Sequence, residues 1–268
     1  MKFKPIVMIC IVLLAFTSIA SAERIDDKKL EEIKEKLKDI KKDSDNFNVK
    51  EEVYGLTDDK TDVIIKGTII HYKDAKDIKS KQAPLRIIPS ICSKTFSKWR
   101  TPPVSYVVNP LNTQSLDSNF IKTSITNGVD VWDYVTSKNL VIDTYTEDIS
   151  VSWGILDGKN AIVFGNNYPD PRVIAVTGYW RYLYSGYIAE FDISMEEDYA
   201  WGDASSDSTK MDVQNIFTHE FGHGLGLSDL YTSNCNTQTM YGYSGYGEII
   251  KRTVESGDIY GLIKLYGR

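Results

Sequence analysis

Residues 216–229 read Ile-Phe-Thr-His-Glu-Phe-Gly-His-Gly-Leu-Gly-Leu-Ser-Asp and decide how the last third of the chain folds. His219 and His223 are four residues apart, so on a helix both imidazoles project from one face, about one turn apart. The opposite face carries an apolar row at a spacing of four residues: Phe217, Phe221 and Leu225. The stretch therefore predicts a helix that packs with one side and holds a metal ion with the other.

The spacing of the two histidines lets both reach one zinc ion at ~2.1 Å. Glu220 follows the first histidine, where its carboxylate can reach a zinc-bound water without binding the metal. Gly226 lacks a Cβ, so it can take a positive φ that ends the helix and reverses the chain. Asp229, three residues later, is then the best-placed third ligand. The chain has three histidines, and the third of them, His71, is the alternative ligand.

The N-terminus has the pattern of a secretory signal peptide. Lys2 and Lys4 precede an apolar run over residues 6–16, and Ala20-Ser21-Ala22 offers the small residues of a cleavage site. The run is about half as long as the ~20 residues that a membrane-spanning helix needs. We therefore expect residues 1–22 to be a signal peptide and the mature protein to be secreted, extracellular and free of a membrane anchor.

The overall composition excludes one class of partner. The chain carries 37 acidic and 31 basic residues, a formal net charge of −6. No basic cluster lies beside aromatic residues, so we do not expect nucleic acid as a partner. Hydrophobic residues make up 42% of the chain, which is ample for a packed core.

Residues 23–90 differ in amino-acid composition from the rest of the chain. Between residues 26 and 42 nearly every side chain is charged, except four at helical spacing: Leu30, Ile33, Leu37 and Ile40. Residues 49–54 and 63–72 read as two strands. A helix and two strands can cover another domain but scarcely fold alone. We interpret residues 23–90 as a propeptide or an accessory N-terminal module that precedes a catalytic domain at residues 91–268.

Residues 91–268 predict an α+β fold, one sheet with a few helices. The predicted strands are 104–108, 140–145, 161–164, 175–180 and 188–193. One predicted helix follows Asp117, with Ile121, Ile125, Val129 and Trp132 on one face. The motif helix comes next, and a last helix covers residues 256–266.

A polar loop precedes the motif helix, and its acidic residues raise the question of calcium: Glu196, Glu197, Asp198, Asp203 and Asp207. Carboxylate oxygens are the ligands that calcium prefers. The ligand spacing of a calcium loop does not recur here, so a solvated loop is the preferred interpretation.

The motif resembles that of the metzincin metallopeptidases and, within them, the matrixins. The family pattern is His-Glu-x-x-His-x-x-Gly-x-x-His followed by a methionine-containing turn. This chain matches the pattern up to Gly226, and Asp229 stands where the third histidine usually does. Thr239-Met240-Tyr241-Gly242 resembles the methionine turn, and residues 253–267 resemble the matrixin C-terminal helix. The resemblance covers about residues 92–268 and does not explain residues 23–83.

The resemblance implies a metzincin-type domain with a twisted mixed sheet that hydrolyses protein or peptide substrates with one catalytic zinc ion. Glu220 would be the general base, and Met240 would be a packed floor beneath the metal. A second, structural zinc is not expected, because the histidines that hold it in the family are missing. We expect the substrate to bind in extended form beside an edge strand at residues 175–180. Tyr241 and Tyr243 are candidates to line the pocket for the residue after the scissile bond.

Two cysteines remain after signal cleavage, Cys92 and Cys235, and they allow two interpretations. In the first they form a disulfide, which export makes chemically possible. In the second, Cys92 is a thiolate that binds zinc and keeps a precursor latent, as in matrixin zymogens. Its flanking residues do not match the family's Pro-Arg-Cys-Gly motif, so the disulfide is favoured.

Two other functions stay open. One is a catalytically inactive, metzincin-like binding or cell-surface module in which the metal only holds the fold together. Glu220 disfavours it, because a purely structural site has no use for a base beside the metal. The other is zinc-dependent hydrolysis of a non-protein amide. The sequence does not reveal the oligomeric state.

Overall fold

The computed structural model describes residues 28, 32, 33, 35, 49–57, 62–73 and 88–268. The predicted signal peptide lies outside these residues, as do Leu30, Leu37 and Ile40 of the predicted N-terminal helix. The described residues between 28 and 35 are helical and belong to one compact unit, residues 1–42. The features below belong to the second unit, residues 43–268. Among the described residues, the helices are too short or too polar to cross a bilayer.

The strands of the second unit are β1 (Val49–Leu56), β2 (Val63–Lys73), β3 (Lys98–Trp99), β4 (Val107–Val108), β5 (Thr146–Glu147), β6 (Ala161–Gly165), β7 (Val173–Tyr182), β8 (Tyr187–Glu196), β9 (Trp201–Gly202), β10 (Met211–Asp212) and β11 (Tyr243–Ser244). One sheet has the order β1-β2-β7-β8-β6-β4-β5, with β3 beside β8 and β11 beside β2. β7 runs antiparallel to β2 and β8, whereas β6, β4 and β5 continue parallel. The predicted α+β class, with a mixed sheet, is confirmed.

The strand predictions succeed where the apolar run is long. β7 extends its predicted segment by two residues at each end, and β8 extends its own by one residue at the start and three at the end. β7 is buried from Val173 to Trp180. The prediction for residues 140–145 is wrong. Val141 makes only a single bridge to Val104, and the short strand β5 begins at Thr146. The segments around Val104 and Val141 therefore pair at a single residue each, and residues 142–145 do not form a strand.

The described part of the second unit contains three α-helices, which share one core with the sheet: α1 (Ser118–Asp133), α2 (Val213–Gly224) and α3 (Ser256–Tyr266). Asp117 caps α1 by accepting a hydrogen bond from the Phe120 N–H at 2.9 Å. Gly128 lets α1 approach α2 closely, since a Cβ there would lie 2.6 Å from the ring of Phe217. The predicted apolar face of α1 is buried. The motif helix is thus held on one side by α1.

The strand predicted as the sheet edge is an interior strand. β2 pairs with β7 from Ile64 opposite Tyr182 to Tyr72 opposite Val173. The expectation of an exposed edge at residues 175–180 is therefore corrected, because an upstream segment of the same chain already satisfies the main-chain groups of β7. Two strands of the predicted N-terminal module, β1 and β2, share one sheet with the other strands of the second unit.

Candidate metal and catalytic site

The motif helix α2 starts at a fixed point. Asp212 is its N-cap and accepts a hydrogen bond from the Asn215 N–H at 2.8 Å. The Arg252 guanidinium donates to both oxygens of the same carboxylate. The predicted apolar row of Phe217, Phe221 and Leu225 is buried. One face of α2 is thus locked in the core, which fixes the direction of the opposite face.

Gly226 ends the turn after α2 as predicted, with a φ of 98°. A Cβ at this position would lie 2.1 Å from the main-chain oxygen of Ser97, so only glycine fits. The reversal returns Asp229 to the two histidines of α2. Its Oδ1 lies 3.1 Å from Nε2 of His219 and 3.5 Å from Nε2 of His223. The structure thus brings together the three predicted ligands, all of them buried.

The donor atoms fit a cation. The Nδ1 of His219 is 2.7 Å from the Thr239 carbonyl oxygen, and the Nδ1 of His223 is 2.8 Å from that of Leu227. A carbonyl oxygen only accepts, so both Nδ1 atoms carry the proton and both Nε2 atoms present lone pairs. Those two Nε2 atoms are 3.1 Å apart. Asp229 Oδ1 faces them and has no hydrogen-bond donor among the described residues.

Three buried lone pairs that converge in this way repel one another unless a cation lies between them. Two imidazole nitrogens and one carboxylate oxygen are a ligand set that suits zinc and leaves a fourth position for substrate or water. Burial also lowers the pKa of His219 to about 4, which keeps the imidazole in the neutral form that binds a metal. Tyr231 orients the third ligand, since its hydroxyl donates to Asp229 Oδ2 at 2.8 Å.

Met240 lies directly beneath α2. A Cβ on Gly222 would come within 2.4 Å of the Met240 sulfur, so the helix and the methionine are in close contact. Asp258 of α3 fixes the turn by accepting hydrogen bonds from the N–H groups of Thr239, at 2.8 Å, and Met240, at 3.2 Å. Met240 thus lies under the helix that carries both histidines, in a turn that Asp258 holds by two hydrogen bonds.

The predicted disulfide between Cys92 and Cys235 is present. Both half-cystines are buried. Because the Cys92 sulfur is bonded to another sulfur, it has no thiolate to offer a metal, and the alternative in which Cys92 binds zinc does not hold. The bridge ties the segment before β3 to the 3-10 helix Ser233–Cys235, just upstream of Met240.

Glu220 occupies the position predicted for a base. Its carboxylate is fully buried, and Oε2 accepts a 2.6 Å hydrogen bond from the hydroxyl of Thr177 on β7. Burial raises the pKa of Glu220 to about 7. A carboxyl group with such a pKa can both accept and release a proton near neutral pH.

His71 on β2 also lies in the site. Its Nδ1 is 3.1 Å from Glu220 Oε1, and its ring centroid is 4.0 Å from that of His219. Its Nε2 is 3.4 Å from Nζ of Lys251. His71, His219 and Glu220 form a second cluster of possible ligand atoms, which overlaps the first. From the sequence, His71 was expected only as an alternative to Asp229 as the third metal ligand. In the structure it contacts Glu220, the candidate base.

Lys251 and Thr177 are site residues that the sequence analysis missed. Lys251 is fully buried, and its ammonium group donates to the Tyr243 carbonyl oxygen at 2.7 Å and to the Ser244 hydroxyl. Lysine is almost never fully buried, so nothing in the sequence marked this one. Tyr243 lines the site through its main chain, and its ring packs against those of Tyr231 and Tyr241.

Three of the five acidic residues considered for calcium accept hydrogen bonds from other groups of the protein. Glu196 accepts from the Tyr168 N–H, Asp203 from Arg252, and Asp207 from Thr209. Within the described part of the chain, the side-chain clusters that could hold a metal are the two that contain His219. The structure therefore adds no support for calcium at this loop.

Comparison with known proteins extends the resemblance beyond the motif. The matrixin family profile matches residues 98–267. The match includes the three candidate ligands, Glu220 and the methionine turn. A search of curated proteins found no match.

Proposed function

This chain belongs to the matrixin family of zinc metallopeptidases, and we propose that it is a secreted endopeptidase with Glu220 as its general base. In this proposal the catalytic zinc ion is held by His219, His223 and Asp229. The observation that carries it is the convergence of three buried lone-pair donors beside a buried carboxylate. A purely structural metal site would gain nothing from that carboxylate.

Zinc held by these ligands would supply Lewis-acid chemistry that polarises a peptide carbonyl and makes water more acidic. The protein's own contribution centres on Glu220. The Thr177 hydroxyl donates to Oε2 and orients the carboxylate, and we assign the proton transfers to Oε1, which lies 3.1 Å from Nδ1 of His71. Oε1 takes a proton from the attacking water and then passes it to the nitrogen of the leaving amine, so that the base is regenerated. A pKa of about 7 suits both transfers.

Two observations support export. The first 22 residues have the pattern of a signal peptide. The Cys92–Cys235 disulfide suits an oxidising compartment outside the cytoplasm. We therefore propose that the mature protein acts outside the cell on protein or peptide substrates.

The test separates the base from the ligands. Glu220→Gln should retain one zinc ion per chain but lose hydrolysis by a factor of ~10²–10⁴ or more. Asp229→Ala should lose zinc, and activity with it. Glu147→Gln is the matched control, because that side chain is 45% exposed and its carboxylate pairs with Lys122 at 3.0 Å.

Gelatin zymography, with and without a chelator, measures hydrolysis by the refolded chain with abundant substrate present. Elemental analysis measures the number of zinc ions per chain. Loss of zinc from Glu220→Gln would make Glu220 a ligand and contradict its assignment as the base. Gelatin hydrolysis that survives in Glu220→Gln, or that a chelator leaves untouched, would contradict the proposed function.

A further inference from the structure

Lys251 is a buried charged residue that has no role in the hydrolysis described above. Its side chain is fully buried, and its main-chain N–H donates to the side-chain oxygen of Asn215 at 2.7 Å. Asn215 lies on α2 one turn before His219, so the segment that carries Lys251 is anchored to the helix that carries the base. Lysine is almost never fully buried unless its ammonium group has partners. The partners of Lys251 therefore show which groups this part of the site accepts.

The ammonium group of Lys251 has three hydrogens to donate. The Tyr243 carbonyl oxygen, at 2.7 Å, and the Ser244 hydroxyl each accept one of them. The third is left for two neighbours, Oε1 of Glu248 at 3.3 Å and Nε2 of His71 at 3.4 Å. Glu248 offsets the positive charge, so the group that approaches Lys251 from the side of the base needs to be an acceptor but does not need to be an anion.

The His71 ring bridges Lys251 and the base. Its Nδ1 lies 3.1 Å from Oε1 of Glu220, and its Nε2 lies 3.4 Å from Nζ of Lys251. With the proton on Nδ1, a neutral imidazole donates to the carboxylate and accepts from the ammonium group. The space between Glu220 and Lys251 thus holds a side chain about as large as an imidazole that has an acceptor at its far end.

A substrate places one particular residue beside this space. Glu220 passes its proton to the nitrogen of the leaving amine, which belongs to the residue after the scissile bond. That nitrogen must come within hydrogen-bond distance of Oε1, and the side chain of the same residue starts from the next atom of the main chain. A peptide that is cleaved therefore brings this side chain into the space that the His71 ring marks.

We propose that Lys251 determines the specificity of this site and selects peptides that have a neutral acceptor side chain, glutamine or histidine, directly after the scissile bond. This inference rests on the proposed peptidase function and adds its substrate class. The ammonium group donates to the side-chain oxygen of the glutamine or to Nε2 of the histidine. Methionine or leucine at the same position fills the space without a strong acceptor, so the buried ammonium group loses one partner.

The charges around Lys251 favour a neutral side chain over an acidic one. Glu248 already lies beside the ammonium group, and its carboxylate also accepts from the Ser244 hydroxyl at 3.1 Å. A substrate carboxylate in the same space would lie near both Glu248 and Glu220, and like charges repel one another at such short range. The amide of glutamine offers the same kind of acceptor oxygen without the added charge.

Three variants of the full chain test the proposal. Lys251→Met removes the ammonium group and keeps a long side chain. Lys264→Met is the matched control, because it makes the same change at an exposed position of α3. Glu248→Gln keeps Lys251 and removes its neighbouring carboxylate, so it supplies a result even if Lys251→Met does not fold. Zinc content establishes that each variant retains its metal site.

The assay compares kcat/KM for fluorogenic peptides that differ only in the residue after the scissile bond. Glutamine should exceed methionine, which has nearly the same shape, by about tenfold or more in the wild type and in Lys264→Met. The ratio should fall to about one, or invert, in Lys251→Met. In Glu248→Gln, glutamate should overtake glutamine, because the ammonium group has lost its carboxylate neighbour.

A lysine that only stabilises the fold would change the hydrolysis of all peptides alike and leave this ratio intact. An equal ratio in the wild type and Lys251→Met therefore overturns the proposal. A wild type that prefers methionine overturns it as well, and so does a Glu248→Gln variant that still prefers glutamine to glutamate.

A binding measurement separates the role of Lys251 from the peptidase function. The same peptides are titrated into zinc-loaded Glu220→Gln, which should bind the glutamine peptide at least about tenfold more tightly than the methionine peptide. Equal binding of the two peptides, or none, would refute the role of Lys251 whatever the enzyme hydrolyses. Preferential binding without hydrolysis by the zinc-loaded wild type would instead overturn the proposed function and leave the assignment of Lys251 standing.

Discussion

Replacement of Gly226 by alanine should damage both the fold and the metal site. At a φ of 98° an L-residue costs ~1–2 kcal/mol relative to glycine. The new Cβ would also stand 2.1 Å from the Ser97 carbonyl oxygen, in backbone that cannot retreat easily because the Phe96 N–H donates to the Gly226 oxygen at 3.0 Å. Overpacking of this kind adds roughly 1–3 kcal/mol.

Gly158→Ala is the control that measures the cost of a positive φ without a collision. Gly158 has a φ of 82°, and a Cβ there would meet nothing within 4 Å. Its loss of stability should therefore be about 1 kcal/mol. The difference between the two variants isolates the collision with Ser97 from the cost of positive φ.

The measurement is urea unfolding with a chelator present, so that bound zinc does not contribute to the free energy of unfolding. Zinc affinity is then measured by competition with a coloured chelator. It should fall about tenfold or more in Gly226→Ala, because the turn sets where Asp229 meets the histidines. Equal destabilisation of the two variants would refute the collision argument, and unchanged zinc affinity would refute the link between the turn and the third ligand.

Three further predictions use single substitutions. Tyr231→Phe removes the hydroxyl that orients Asp229, so zinc affinity should fall ~10-fold while the exposed Tyr260→Phe leaves it unchanged; equal affinities in the same competition assay would contradict this. Cys92→Ser opens a covalent loop with a sequence separation of 143 and should cost up to about 5 kcal/mol, measured as a lower melting temperature of the mature protein; an unchanged melting temperature would contradict it. Burial raises the pKa of Asp192 to about 7, above its value in the unfolded chain. The protonated carboxyl therefore favours the folded state, and this contribution to the free energy of unfolding is lost as the pH rises from about 4 through 7. Asp192→Asn should flatten the pH dependence of urea unfolding over this window, and an unaltered slope would show that the carboxyl is ionised throughout.

The site elements that sequence predicted best are those fixed by local chemistry. The motif helix, the positive φ of Gly226 and the last helix follow from periodicity, capping and the absence of a Cβ within a few residues. Asp229 was placed by the same turn. In each case the deciding interactions join residues close in sequence, so a short stretch contains most of the information.

The elements that sequence did not predict depend on partners far along the chain. Nothing local shows that residues 63–73 pair with residues 173–182, because an alternating apolar strand fits any sheet edge. Thr177 reads as an ordinary strand residue, and Lys251 reads as a solvated lysine. Both become site residues only when β7, the loop before α3 and β2 meet around Glu220.

The Cys92–Cys235 bridge has a consequence for how the protein can be produced. Its two cysteines lie 143 positions apart in the sequence, so the bridge can close only after most of the second unit has been synthesised. In a reducing cytoplasm the two thiols would stay unpaired. Protein expressed there would therefore lack the covalent tie between the segment before β3 and the segment before Met240, and its yield should improve when it is secreted into an oxidising compartment.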